Sequence, residues 1–536
     1  MSALKTGAAP GVTIFDSTLR DGAQAEGISF SVEDKIRIAE ALDELGVQYI
    51  ETGNPGSNPK DLEFFRRVKG LRLKHARLVA FGSTRRKDAK ASEDKNIEAL
   101  LSVNTEVVTI FGKCWDFHVT EILRASLEEN LEMIYDTVAY LKSNGKEVIF
   151  DAEHFFDGYK ANPEYAMSCV KKAADAGADS VALCDTNGGS FPMEIFERTG
   201  VVCAALGIPV AIHCHDDCGM AVANSIMAVE AGAVSVQGTF IGFGERCGNT
   251  NLSAIIPNLQ LKKNIQCIPP EQMPNLTTTA RFIAEVANIH LNDHAPYVGR
   301  SAFSHKGGMH IDGVSKASGS FEHIAPETVG NERKFLMSEV SGRGAILTKI
   351  QRISPGVQKD SKEAGDIIER LKALEHEGFQ FEAAESTFEL VIRKQLGKYK
   401  PLFELVNYKV ITEQPSNPAC SASALIKIIV DGKAEITAAE GDGPVNALDK
   451  ALRKALEVFY PQLASMHLTD YKVRVMDSHS ATAARVRVLI ESGDGLRRWT
   501  TVGVSSDIIA ASWIALVDSI EYKLIKDIES KFSAYL

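Results

Sequence analysis

The chain has 536 residues, more than one hydrophobic core serves, so two or three domains are expected. Its 45% hydrophobic and 24% charged content is that of a globular protein, and a net charge of −11 without a basic run argues against a nucleic-acid partner. No apolar stretch reaches the roughly 20 residues of a membrane helix, Met1 to Gly11 lack the regions of a signal peptide and read as a short disordered arm, and nine scattered cysteines without a CxxC pair suit small buried thiols in a reducing cytoplasm.

Over about the first 240 residues one strand–helix alternation recurs about eight times. Short apolar runs predict strands at Val12–Phe15, Val47–Ile50, Leu78–Phe81, Val107–Phe111, Glu147–Phe150, Ser180–Leu183, Pro209–His213 and Val234–Thr239. Amphipathic or Ala-rich stretches between them predict helices, among them Val32–Leu45, Thr120–Lys142, Glu164–Ala176 and Ala221–Ala231. Gly46, Gly177 and Gly232 follow three of these helices, where a left-handed residue ends a helix without Cβ strain. The expected fold is α/β, a closed (β/α)8 TIM barrel over 1–275, with an open doubly wound sheet as the alternative. Residues 276–395 read as a mainly helical linker or subdomain with glycine-rich patches at Ser304–Gly313 and Ser341–Gly344. Residues 396–536 contain strand, strand, helix twice over: Ala424–Val430, Lys433–Glu440 and Asn446–Phe459, then Ala484–Ile490, Arg497–Val504 and Ser505–Lys526. With a preceding strand in each copy (Phe403–Thr412 and Tyr471–Asp477), this predicts an α+β two-fold (βββα)2 module for binding or assembly.

In a (β/α)8 barrel the reacting groups stand at the C-terminal ends of the strands, and the unusual polar residues collect there. Strand 1 leads into Asp16-Ser17-Thr18-Leu19-Arg20-Asp21-Gly22-Ala23-Gln24 and strand 2 into Glu51. Strand 5 leads into Asp151-Ala152-Glu153-His154 and strand 6 into Cys184-Asp185-Thr186-Asn187. Strand 7 leads into His213-Cys214-His215, and strand 8 into Gly242 to Asn249. His213 and His215, two apart on a strand, share a face. With Asp21 and the amide of Asn249 from adjoining strands they make a mixed N/O set for Mn²⁺, Mg²⁺ or Zn²⁺. Core hydrogen bonding of the histidines is the bland reading. Arg20 offers a fixed guanidinium to an oxyanion, or a structural ion pair with Glu51 or Asp16. Glu153 is a candidate to orient Arg20 or to move a proton. Thr186 offers a hydroxyl to a substrate carboxylate, or caps its own loop.

Taken together, Asp16 to Gly22, His213-Cys214-His215 and Gly244-Glu245-Arg246-Cys247-Gly248-Asn249 resemble the motifs of the 2-isopropylmalate, homocitrate and citramalate synthases. The resemblance covers nearly the whole chain. It implies a cytoplasmic homodimer or higher homo-oligomer, metal ligation by Asp21, His213, His215 and Asn249, and catalytic roles for Arg20 and Glu153. It further implies that His310 with Asp312 supplies proton transfer from the helical subdomain, and that Arg20, Gln24 and Thr186 contact the keto acid. The C-terminal domain is implied to be a regulatory, amino-acid-binding module with isoleucine as a candidate effector. The segments Asp151 to Tyr159 and Phe111 to Trp115 most resemble members that join acetyl-CoA to pyruvate and water, giving (R)-citramalate and CoA and opening a threonine-independent route to isoleucine. Phe81, Phe111 and Phe155 are expected to line a tight pocket suited to pyruvate. Phe321 stands where relatives carry a tyrosine, so one hydroxyl contact is missing. Alternatives are a 2-isopropylmalate synthase acting on 2-oxoisovalerate, a carbon–carbon lyase or aldolase on the same barrel, and a regulatory protein with an inactive barrel.

Overall fold

A computed structural model describes residues 11–336 and, beyond them, 347, 350–351, 353–358, 361–381, 383–417, 420–476, 484–495 and 497–533. The expected N-terminal arm, up to residue 10, and the glycine patch Ser341–Gly344 lie outside the described residues. The chain separates into two compact units, one of Met1–Ser304 with Glu322–Lys334, the other of His305–Phe321 with Phe335–Leu536.

In the first unit eight parallel strands close into a barrel, which sets aside the open sheet. They are β1 (Thr13–Asp16), β2 (Tyr49–Gly53), β3 (Arg77–Ser83), β4 (Val107–Lys113), β5 (Glu147–Glu153), β6 (Ser180–Asp185), β7 (Val210–Cys214) and β8 (Ser235–Gly238). β8 returns to β1, pairing Ile14 with Val236 and Asp16 with Gly238.

The crossover helices follow from local chemistry. The helix Val32–Leu45 opens on a reciprocal cap between Ser31 and Asp34 and closes at Gly46, whose φ is 95°. A Cβ at Gly46 would also meet Pro269 Cδ at 2.3 Å. The helix expected over Thr120–Lys142 is instead broken. His118–Leu123 forms a π-type turn, Arg124 enters the left-handed region at φ 54°, and Ser126 starts a new helix, Leu127–Ser143, by accepting the Glu129 N–H.

Inside the barrel the period of two along each strand builds layers. Phe15, Val79, Val107 and Ile149, with Tyr49 packed against them, form an apolar floor. Two residues further along the same strands stand Glu51, Phe81, Thr109 and Asp151, so the interior turns polar toward the strands' C-terminal ends.

In the second unit, ahead of the C-terminal repeat, the described helices include Gly308–Lys316, Lys362–Glu377 and Glu385–Gln395, and residues 347, 350, 351 and 353 are helical as well. The C-terminal repeat is as expected. Glu404–Asn417, Cys420–Val430 and Lys433–Gly441 form one antiparallel sheet, followed by the helix Pro444–Glu457. His467–Val475, Val486–Gly493 and Arg498–Ser505 form the other, followed by the helix Ile508–Ser533. The copies share detail. The first strand of each shifts register just after its start, at Leu405/Asn407 and at Leu468/Asp470. The third strand of each donates a threonine hydroxyl to its helix, Thr437 to the Ala451 carbonyl and Thr501 to that of Ala515. Among the described residues no helix is long and apolar enough to cross a membrane.

Phe15 is among the largest fully buried side chains and belongs to the barrel floor. Replacing it with Ala should cost about 3–5 kcal/mol, read from urea denaturation of the barrel by tryptophan emission.

Candidate active site

The site is built on the turn after β1. Asp16 accepts from the Thr18 N–H and hydroxyl, both at 2.9 Å, and the Thr18 hydroxyl accepts from the Phe240 N–H at 2.8 Å. This pins the turn to the end of β8 and delivers Arg20 and Asp21 into the barrel opening. Arg20 Nε donates to Glu51 at 2.6 Å and a terminal nitrogen donates to Asp21 at 2.9 Å. Its guanidinium lies over the Phe81 ring, 3.9 Å from the centroid, and Phe81 stacks on Phe111 at 5.4 Å. Glu51 also accepts from the Ser17 hydroxyl at 2.6 Å.

His213 and His215 enter from β7 and the residue beyond it. Their Nε2 atoms are 3.4 Å apart, and lie 3.7 and 3.9 Å from Asp21 Oδ2. Burial first, then the adjacent His215 ring, hold His213 down to about 3, and burial lowers His215 as well, so both rings are neutral and able to ligate. Burial pushes the Asp21 carboxyl up, but the Arg20 guanidinium beside it leads the interactions that leave it below its ordinary range.

Asn249 is set beside His215 by a backbone bridge, and its amide lies 3.3 Å from His213 Nε2 and 3.5 Å from His215 Nε2. Gly244 makes room for it, since a Cβ there would fall 2.0 Å from Asn249 Oδ1 and 3.3 Å from Asp21 Oδ1. Arg246 ties the same loop to its neighbours with two hydrogen bonds to Asp217, at 2.8 and 2.9 Å, and one to the Thr186 carbonyl at 2.7 Å.

One ligand atom from each of Asp21, His213 and His215 lies within 4.8 Å of the others. Asp21 Oδ1 and Asn249 Oδ1 are buried without a hydrogen-bond partner among the described residues. Two neutral imidazoles, a carboxylate and an unpartnered amide oxygen fit a divalent cation.

The other expected residues stand differently. Arg20 is oriented by Glu51; Glu153 is not its partner but pairs with Lys113 across the β4–β5 register. Asp16 serves the turn, and among the described residues its side chain is bonded to Thr18. The Thr186 hydroxyl accepts the His154 N–H at 2.9 Å, a bond to the end of β5 rather than a cap of its own loop. Gln24 ends a short 3-10 turn and is exposed. Phe155 is fully buried against Phe156 and Tyr159, away from the stacked pair of Phe81 and Phe111. His310 and Asp312 belong to the second unit, on the helix Gly308–Lys316, where His310 stacks on Phe321 at 4.2 Å and Asp312 pairs with Lys316 at 2.6 Å. Sequence reasoning missed Lys113 as the partner of Glu153, and missed Gln237, 3.0 Å from His213. The strand register, Lys113 beside Glu153 and His213 beside Gln237, is the signal that finds both.

Gly244→Ala should displace Asn249 and weaken Mn²⁺ binding by about tenfold or more without unfolding the barrel, as followed by titration calorimetry beside circular dichroism. Loss of the His213 ring in His213→Ala should remove stoichiometric Mn²⁺ from the dialysed protein, measured by atomic emission.

The HMGL-like family profile matches residues 11–283, the homocitrate synthase post-HMGL domain-like profile 297–378, and the LeuA allosteric (dimerisation) domain profile 382–524. The (R)-citramalate synthase of Aquifex aeolicus is 53% identical over 97% of this chain and 98% of its own length. That of Geobacter sulfurreducens is 52% identical over 97% and 98%. The probable 2-isopropylmalate synthase of Methanopyrus kandleri is 32% identical over 94% and 97%. At that identity, sustained through barrel and C-terminal module alike, the chain belongs to the (R)-citramalate synthase family.

Proposed function

We propose that the chain condenses acetyl-CoA with pyruvate and water to give (R)-citramalate and CoA. The supporting observation is the margin between relatives: (R)-citramalate synthases are 46–53% identical, probable 2-isopropylmalate synthases 31–32%. A divalent cation on Asp21, His213, His215 and Asn249, whether Mn²⁺, Mg²⁺ or Zn²⁺, would supply Lewis-acid polarisation of the keto-acid carbonyl.

The chain's own residues do the rest. Arg20, fixed by Glu51, Asp21 and the Phe81 face, presents a preorganised positive charge where an alkoxide develops. Phe81 and Phe111 stack as an apolar wall beside that guanidinium, suited to a methyl ketone. His310 is the base for the acetyl methyl proton, with Phe321 holding its ring by stacking. Thioester hydrolysis then draws the condensation forward. The C-terminal module, matched by an allosteric dimerisation profile, makes a homodimer and takes isoleucine as the effector of a cytoplasmic biosynthetic enzyme.

The test is free-thiol release from acetyl-CoA with Mn²⁺ and, in turn, pyruvate, 2-oxoisovalerate and 2-oxoglutarate. Release with pyruvate is expected; a preference for 2-oxoisovalerate would move the chain to leucine synthesis, and no release with any of them would overturn the condensation. In the same assay Arg20→Ala should lower kcat/KM by about 10²–10³.

A further inference from the structure

Two buried polar residues of the barrel interior, Gln237 and Asp151, take no part in the chemistry above. Gln237 on β8 is the register partner of His213 on β7, and both point inward. Gln237 Oε1 lies 3.0 Å from His213 Nδ1, and Gln237 Nε2 donates to Asp151 Oδ1 at 3.0 Å. Gln237 is 1% exposed and Asp151 3%, so water does not satisfy either group.

An amide by itself can serve either tautomer of a neighbouring imidazole, because it can turn its oxygen or its nitrogen toward the ring. Asp151 sets the choice through the contact it makes with the amide. Its carboxyl oxygen accepts the amide N–H, which leaves Oε1 facing the ring, and an oxygen there requires a proton on His213 Nδ1. The lone pair is then on Nε2, the atom that lies 3.7 Å from Asp21 Oδ2 and 3.4 Å from His215 Nε2.

We propose that Asp151 and Gln237 are positioning residues of the cation site: Asp151 orients the Gln237 amide, and the amide holds His213 as the Nδ1–H tautomer with Nε2 committed to a divalent cation. This rests on the cation site proposed above. It makes the ligand geometry depend on β5, on the far side of the barrel from β1, through a carboxyl that touches no cation itself. Outer partners of this kind are worth about 10–100-fold in metal affinity.

The experiment is Mn²⁺ titration of the full-length apoprotein by calorimetry, with the apoprotein's thermal midpoint as the folding control. Gln237→Met and Asp151→Leu should each weaken Mn²⁺ binding by about 10–100-fold. The double variant Gln237→Met with Asp151→Leu should be no weaker than Gln237→Met alone, since Asp151 acts through the amide. Parental Mn²⁺ affinity in both single variants, or additive losses in the double, would overturn the inference and leave the cation site standing; no Mn²⁺ binding by the parent would overturn both. A measurement free of any variant is the ¹⁵N imidazole spectrum of the histidine-labelled apoprotein: His213 protonated at Nδ1 supports the inference, and protonation at Nε2 sinks it.

Discussion

Asp21, Glu51 and Asp151 are buried at one end of the barrel around the guanidinium of Arg20. Burying a charge without a partner costs several kcal/mol, and that constraint orders the whole opening. Arg20 is shared between Glu51 and Asp21, with its flat face on Phe81. Asp151, left over, is pushed up to about 8 by burial and by the charge of Glu51, and hands its oxygen to an amide instead of a cation. A divalent cation at Asp21, as proposed above, would add positive charge to this acidic group. The turn after β1 has to be rigid for this to hold, which is the service of Asp16 and Thr18.

Much of this was legible in the sequence because a strand's side chains alternate. His213 and His215 share a face by that rule alone, and eight apolar runs spaced by helices indicate a closed barrel. What was not legible depends on contacts between strands. Glu51 and Glu153 both end strands and look equivalent in sequence, yet β2 places one on Arg20 and β4 places a lysine against the other. Gln237 carries no motif and becomes visible when β7 and β8 are put in register. Thr186 and Gln24 lie outside the strand alternation, and the bond that the Thr186 hydroxyl accepts from the His154 N–H joins two strand ends that sequence spacing does not bring together. The broken helix near Arg124 follows from a serine cap at Ser126 that outcompetes continuation.

The C-terminal module shows the same division. Its order of strands and helices was readable as a repeat. The paired register shifts at Leu405 and Leu468, and the paired threonine contacts to the helices, were not, since they arise from packing of a helix on its sheet. Val406, Ile411, Leu425, Ile436, Val473 and Val475 remain exposed on these strands. That exposure accords with the match to the LeuA allosteric (dimerisation) domain profile.

The pairing of β8 with β1 has a consequence for how the protein is made. Asp21 follows the first strand of the barrel and Asn249 follows the last, so the donor set spans nearly the full length of the barrel. Long-range parallel pairing is slow to form because the loop entropy is lost before contacts repay it. A cation at these donors would therefore not guide early folding of the barrel; it would select and lock a barrel that has already closed, and a chain stalled before β8 carries a carboxylate and two histidines but not the enclosure that brings them together.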